Sequence, residues 1–128
     1  MSEPLILVAD DDDDILLLVT TRLRRDGFNV MSAPDGERAL ALAREHKPTL
    51  AVLDIGMPGL DGLEVLAAIR ADEDLRGTLV LLLTAKAQES DVRRGYDSGA
   101  DAYVKKPFSP AELSTRVRAL LDQAAAES

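Results

Sequence analysis

Leu50-Ala51-Val52-Leu53-Asp54, followed by the loop Gly56-Met57-Pro58-Gly59 and then by Leu63, Leu66 and Ile69 at helical spacing, reads as strand, loop and amphipathic helix. The same unit recurs on either side. Upstream, Leu5-Ile6-Leu7-Val8-Ala9 is a continuous apolar run of the kind buried on both sheet faces. A helix follows from about Asp13, with Ile15, Val19 and Leu23 on one face and Gly27 placed to end it as a left-handed cap. A short strand from Phe28 to Ser32 comes next. Pro34-Asp35-Gly36 then turns the chain into a helix carrying Ala39, Leu40, Leu42 and Ala43, which Pro48 terminates. Downstream, Leu79 to Leu83 is the most apolar run and is expected to be the central strand. A weakly apolar helix is expected from about Glu89 to Ser98, then a strand at Ala102-Tyr103-Val104. Ser109-Pro110-Ala111-Glu112 supplies an N-cap, a first-turn proline and the glutamate of a capping box, and Leu113, Val117, Leu120 and Leu121 stripe the last helix. Five alternating strand and helix units imply a mostly parallel sheet with helices on both faces and right-handed crossovers.

The composition suits one such unit. A chain of 128 residues fits one domain, read as residues 1–128 with 124–128 as a tail or the start of a linker. At 46% hydrophobic and 30% charged it can build a core, so disorder is not the default. No apolar run approaches the roughly 18 residues of a membrane span, and Met1-Ser2-Glu3-Pro4 lacks the basic start of a signal peptide. The chain has no cysteine, hence no disulfide, thiol nucleophile or thiolate metal site, and a cytoplasmic location is expected. A formal charge of −8, with only two tyrosines and two phenylalanines for stacking, argues against direct nucleic-acid binding.

In open parallel sheets, ligands bind beyond the carboxyl ends of the strands at the topological switch point. The polar residues delivered there are Asp10 and Asp11 after the first strand, Asp54 after the third, Thr84 after the fourth, and Lys105 and Lys106 after the fifth. Two ionised carboxylates about 4 Å apart repel by about 4 kcal/mol at an effective dielectric near 20. Either one takes a proton or a cation sits between them. Hard oxygen ligands with few protein donors favour Mg²⁺ (or Mn²⁺), a lysine suits a phosphoryl oxygen, and Thr84 offers a hydroxyl to another. The set is built to put a phosphoryl group on a carboxylate.

Four stretches carry a family resemblance: Ile6-Leu7-Val8-Ala9-Asp10-Asp11, Val52 to Gly62, Leu83-Thr84-Ala85 and Lys106-Pro107-Phe108. In that order and spacing the chain closely resembles a bacterial response-regulator receiver domain. The resemblance implies a flavodoxin-like doubly wound (βα)5 fold with strand order 2-1-3-4-5, an order for which a member of this family is a standard illustration. It implies phosphorylation of Asp54 by the phosphohistidine of a sensor histidine kinase or a phosphotransfer protein. It further implies Mg²⁺ held by Asp11, Asp54 and the Gly56 carbonyl directly and by Asp10 through water. Lys106, before a cis proline, would pair with the phosphoryl group; Thr84 and Tyr103 would form the switch. The output, and any homodimer, would use the face made by the fourth helix, the fifth strand and the last helix. Such a domain is not an enzyme acting on other substrates, but it catalyses its own phosphotransfer and dephosphorylation. Gly56, lacking a side chain, and Lys86, long and basic, depart from the commoner family choices at places that tune water access to the acyl phosphate.

Alternatives stay open at the level of sequence. Asp12 would be the ligand if the first strand ran one residue longer, whereas Asp13 or Asp14 reads as a helix N-terminal group. Lys105 reads as a surface charge and His46 as a surface group at a helix end. The rival functions are an aspartate-nucleophile phosphatase of haloacid-dehalogenase type, with its acceptor among Asp10 to Asp12, a flavodoxin, and an interaction module without phosphorylation. Five consecutive aspartates where a flavin phosphate would sit disfavour the flavodoxin.

Overall fold

The computed structural model describes residues 4–85 and 99–127. Five strands, β1 (Leu5–Ala9), β2 (Asn29–Ala33), β3 (Leu50–Asp54), β4 (Leu79–Thr84) and β5 (Ala102–Lys105), form one parallel sheet in the order β2-β1-β3-β4-β5. The described helices are α1 (Asp13–Arg25), α2 (Gly36–His46), α3 (Gly62–Ala71) and α4 (Pro110–Glu127). The helix expected at Glu89 to Ser98, and Lys86, lie outside the described residues.

The strands alternate between two cores. Leu7, Ala9, Ala51, Leu53, Val80 and Leu82 face α2 and α3; Ile6, Val8, Leu50, Val52, Leu81 and Leu83 face α1 and α4. Both faces being covered explains why the strands read as unbroken apolar runs. β4 is interior, as its composition demands, but the central place belongs to β3, all five of whose residues are buried. The expectation of a central β4 is corrected on that point: apolarity marks a strand as interior and does not rank it among interior strands.

The caps refine the helix bounds. The carboxylate of Asp12 accepts from the backbone N–H of Asp14 and Ile15, making Asp12 the N-cap of α1, while Asp13 and Asp14 occupy the first turn. The helix stops at Asp26 and Gly27, the latter at φ 98°. At the end of α2 the left-handed residue is Lys47 (φ 49°), so the helix has already ended before Pro48. Ser109 caps α4 by accepting from the Glu112 N–H. A reciprocal capping box that the sequence reading did not single out starts α3, where Asp61 and Glu64 bond each other's backbone N–H.

The end of the sheet away from the acids is fastened by Arg70. Its guanidinium donates to the carbonyls of Gly99, Arg76 and Thr78 and to Asp101 Oδ2, so its nitrogens join α3, the β4 approach and the β5 approach. On the other face, Asp26 at the end of α1 accepts from the Ser114 hydroxyl of α4.

Candidate functional site

The carboxyl edge of the sheet gathers side chains from three strand ends. Ligand oxygens of Asp10, Asp11 and Asp54 lie within 4.8 Å of one another. Asp10 is fully buried and Asp54 is 4% exposed, whereas Asp11 faces solvent. Asp10 Oδ1 accepts from the Asp12 N–H at 2.9 Å, which turns the chain from β1 into α1 and aims Asp11 outward. Asp54 Oδ1 accepts from the Gly56 N–H at 3.2 Å, an analogous turn after β3.

Lys106 closes the cluster from the β5 side. Its Nζ lies 3.0 Å from Asp10 Oδ2 and 3.2 Å from Asp54 Oδ1, with the side chain 21% exposed. The lysine is set there by the strand before it, since its N–H donates to the Thr84 carbonyl at 2.7 Å, and its bond to Pro107 is cis. Burial alone works against the ammonium, but the bonds and charges of Asp10 and Asp54 outweigh it and hold Lys106 above the usual lysine range. Desolvation, then the hydrogen bond and the charge of Asp54, raise the Asp11 carboxyl above the ordinary aspartate value. Among the described residues, three acids against one ammonium leave a local excess of negative charge.

That donor set fits a hard divalent cation. All three side chains offer oxygen, Asp10 Oδ2 is buried with only the lysine charge to face it among the described residues, and Asp11 keeps the site open to water. Asp12 stands outside this group of acids, its Oδ1 accepting the two N–H groups of the α1 cap.

The remaining expected residues fall around this cluster. Thr84 is 1% exposed at the end of β4, and its hydroxyl donates to the Ala85 carbonyl at 3.2 Å. Tyr103, opposite Leu82 in the β4–β5 register, is half-buried and packs on the α2–α3 core. Gly56 is exposed at the start of the loop. Lys105 is exposed on β5, and His46 is the exposed last residue of α2.

The loop after Asp54 depends on two close approaches. A Cβ on Gly62 would stand 2.5 Å from the Asp54 carbonyl oxygen, and one on Gly36 would stand 1.9 Å from the Leu60 carbonyl oxygen. The sequence reading took Gly36 for a turn residue; its role is instead the space it leaves for the loop.

Residues 6–118 match the family model of the response regulator receiver domain. The chain belongs to that family. Across 116 residues the receiver is 46% identical to the DNA-binding response regulator MtrA of Mycolicibacterium smegmatis, covering 91% of this chain and 50% of that protein. It is likewise 46% identical, over 91% of its length, to the alkaline phosphatase synthesis transcriptional regulatory protein PhoP of Bacillus subtilis, covering 48% of it. The chain thus spans about half the length of these relatives. A CheY-like receiver domain structure from Methanospirillum hungatei superimposes with a TM-score of 0.92 at 29% identity, covering 99% of this chain and 100% of that one. As a response-regulator receiver it serves two-component signalling by accepting a phosphoryl group, and the haloacid-dehalogenase alternative finds no support. Among the described residues no helix is long and apolar enough to cross a membrane.

Proposed function

We propose that Asp54 is the phosphoacceptor of this receiver and that the whole chain, residues 1–128, is a single receiver domain. The observation that carries the assignment is the Lys106 ammonium held 3.2 Å from Asp54 Oδ1 beside Asp10 and Asp11. An oxygen of the Asp54 carboxylate attacks phosphorus, the phosphorus–nitrogen bond of a donor phosphohistidine breaks, and the histidine nitrogen leaves with the electron pair. The product is an acyl phosphate on Asp54. Lys106 neutralises a phosphoryl oxygen, and Thr84 turns its hydroxyl from the Ala85 carbonyl to another. Asp10, Asp11, Asp54 and the Gly56 carbonyl would hold Mg²⁺ (or Mn²⁺), which when bound supplies charge neutralisation for the transferring group. Dephosphorylation is the attack of water on the same acyl phosphate, at an edge where Gly56 contributes no side chain.

The donor is a sensor histidine kinase or a phosphotransfer protein. Leu17 and Leu18 on α1, 65% and 47% exposed, border a groove of about 450 Å³ with Pro110 and Ala111, and Leu18 also lines a neighbouring hollow with Lys106, Pro107 and Phe108. That apolar surface beside the acceptor suits a docking helix. Movement of Thr84 toward the phosphoryl group vacates space beside β4 for Tyr103, which couples the site to the surface around β5 and α4, the face available for output or a homodimer.

The test is labelling with acetyl phosphate followed by intact-mass measurement. One phosphate should add in the presence of Mg²⁺ and none with a chelator or in Asp54→Ala. Persistent labelling of Asp54→Ala refutes the acceptor assignment.

A further inference from the structure

We infer that Gly36, in the first turn of α2 and outside the acid cluster, is a positioning residue for the metal half of the site. The inference rests on the reading that the Gly56 carbonyl joins Asp10, Asp11 and Asp54 in holding Mg²⁺. Among the described residues the Gly56 backbone is held by the Asp54–Gly56 turn, where its N–H donates at 3.2 Å. Its position is therefore inherited from the path of residues 55–61, and that path is pinned at three places. Ile55 and Met57 are each 3% exposed, sunk in the α2–α3 core. The return of the chain is set by Gly62, whose N–H donates to the Ile55 carbonyl at 3.3 Å and whose Cα leaves no room for a side chain against the Asp54 carbonyl. The far end of the loop rests on α2, where the Leu60 carbonyl occupies the volume a Gly36 side chain would fill, 1.9 Å from the ideal Cβ position.

Backbone freedom does not account for this glycine. The glycines at positive φ are Gly27, Gly59 and Gly99 among the described residues; Gly36 is an ordinary helical residue just inside an Asp35 N-cap. What the position demands is the missing Cβ. An unstrained carbon–oxygen approach is about 3.3 Å, so a methyl group at 36 obliges the loop or α2 to yield by roughly 1.4 Å. The obstacle is a backbone carbonyl, not a side chain that can swing aside. Gly62 is held backbone to backbone against Asp54, so the displacement is taken up on the other side, where only side-chain packing holds Met57, and it passes toward Gly56. Shifts on this scale in groups that orient a metal ligand typically cost about 10–100-fold in metal affinity.

The experiment is calorimetric titration of the full chain with Mg²⁺, alongside urea unfolding of the same samples without metal. Wild type, Gly36→Ala and Val117→Ala are compared; Val117 is fully buried in the α1–α4 core on the opposite face of the sheet. Gly36→Ala should bind Mg²⁺ about tenfold or more weakly while still folded. Val117→Ala should lose stability with Mg²⁺ affinity within twofold of wild type. Should Gly36→Ala not fold, Gly59→Ala takes its place, because Gly59 lies on the same loop at φ 74° with its Cβ direction 3.5 Å from Glu37 Oε1; it should show the same tenfold loss. Folded Gly36→Ala, or Gly59→Ala in its stead, binding within twofold of wild type overturns the inference alone. Equal weakening in Val117→Ala also overturns it, since the effect would then follow stability rather than the loop. A wild type that takes up no Mg²⁺ overturns the metal reading and this inference with it.

Discussion

Replacing Lys106 by methionine removes the ammonium that, among the described residues, faces two buried acids, while keeping most of its aliphatic stem. Asp10 is fully buried and the Asp54 side chain is 6% exposed, with Nζ at 3.0 and 3.2 Å from their oxygens. At an effective dielectric near 20 each contact is worth about 5 kcal/mol of gross attraction. Most of that offsets the desolvation of the three groups, and breaking one side of a buried pair typically costs about 3–5 kcal/mol. Because the lysine is 21% exposed, the lower end applies, and Lys106→Met should lose about 3 kcal/mol at neutral pH in chelator. The sign with pH follows from linkage. In wild type the raised Lys106 contributes stability that is present below the unfolded lysine value of 10.5 and is lost only as pH rises through its higher folded value. Urea unfolding followed by far-ultraviolet circular dichroism reads all of this, the chain having no tryptophan. Adding Mg²⁺ should recover more stability in the variant than in wild type, since the cation then replaces the missing charge. Equal urea midpoints for the two proteins in chelator would refute the view of Lys106 as the internal counter-charge.

Asp12→Ala should cost about 1 kcal/mol by uncapping α1 and leave Mg²⁺ affinity unchanged, as measured by urea unfolding and calorimetry; a large loss of affinity would return Asp12 to the ligand set. The Ser114 hydroxyl, ahead of the Arg22 charge, holds Asp26 below the usual aspartate value, so its contribution is present above pH 3.8 and fades as pH falls through the lower folded value. Ser114→Ala should remove about 1–2 kcal/mol at neutral pH and progressively less in acid, which a series of urea curves from neutral to acid pH will show. Arg70→Lys keeps the charge but not the planar fork that reaches Gly99, Arg76, Thr78 and Asp101, and should lose about 2 kcal/mol in thermal or urea unfolding.

Much of this architecture is written locally. Apolar runs announce β1, β3 and β4, and the acids at the ends of β1 and β3 announce the site, because a charged residue closing a strand buried on both faces has few other uses. Boundaries were less legible. The run Asp10 to Asp14 offers five chemically identical candidates, and only the chain turn at Asp10 separates the buried acid, the outward acid and the cap. Lys47 takes a left-handed conformation that nothing in its side chain advertises. The Asp61–Glu64 box had a readable signal, an aspartate three residues before a glutamate, masked by its place beside the glycine-rich loop. Arg70 had none, since three of its four partners are backbone carbonyls, which any residue type offers, and the fourth, the Asp101 carboxylate, lies 31 residues away. The close approach of Gly36 to Leu60 is likewise a fact of three dimensions.

The two-sided burial of β3 has a consequence for where this chain stores its alignment. Leu50, Ala51, Val52 and Leu53 are acceptable to either core, so their order conveys little about which way the strand should face. The unambiguous instructions sit at the two ends of the strand. Before it, the Thr49 N–H reaches the Leu5 carbonyl and the Thr49 carbonyl receives the Leu79 N–H, locking β3 to both neighbours at once. After it, Gly62 lies against the carbonyl of Asp54. A saturation library across residues 49–62 should therefore tolerate many apolar exchanges within the strand and few changes at its boundaries, so that the positions encoding alignment and those encoding chemistry are nearly the same set.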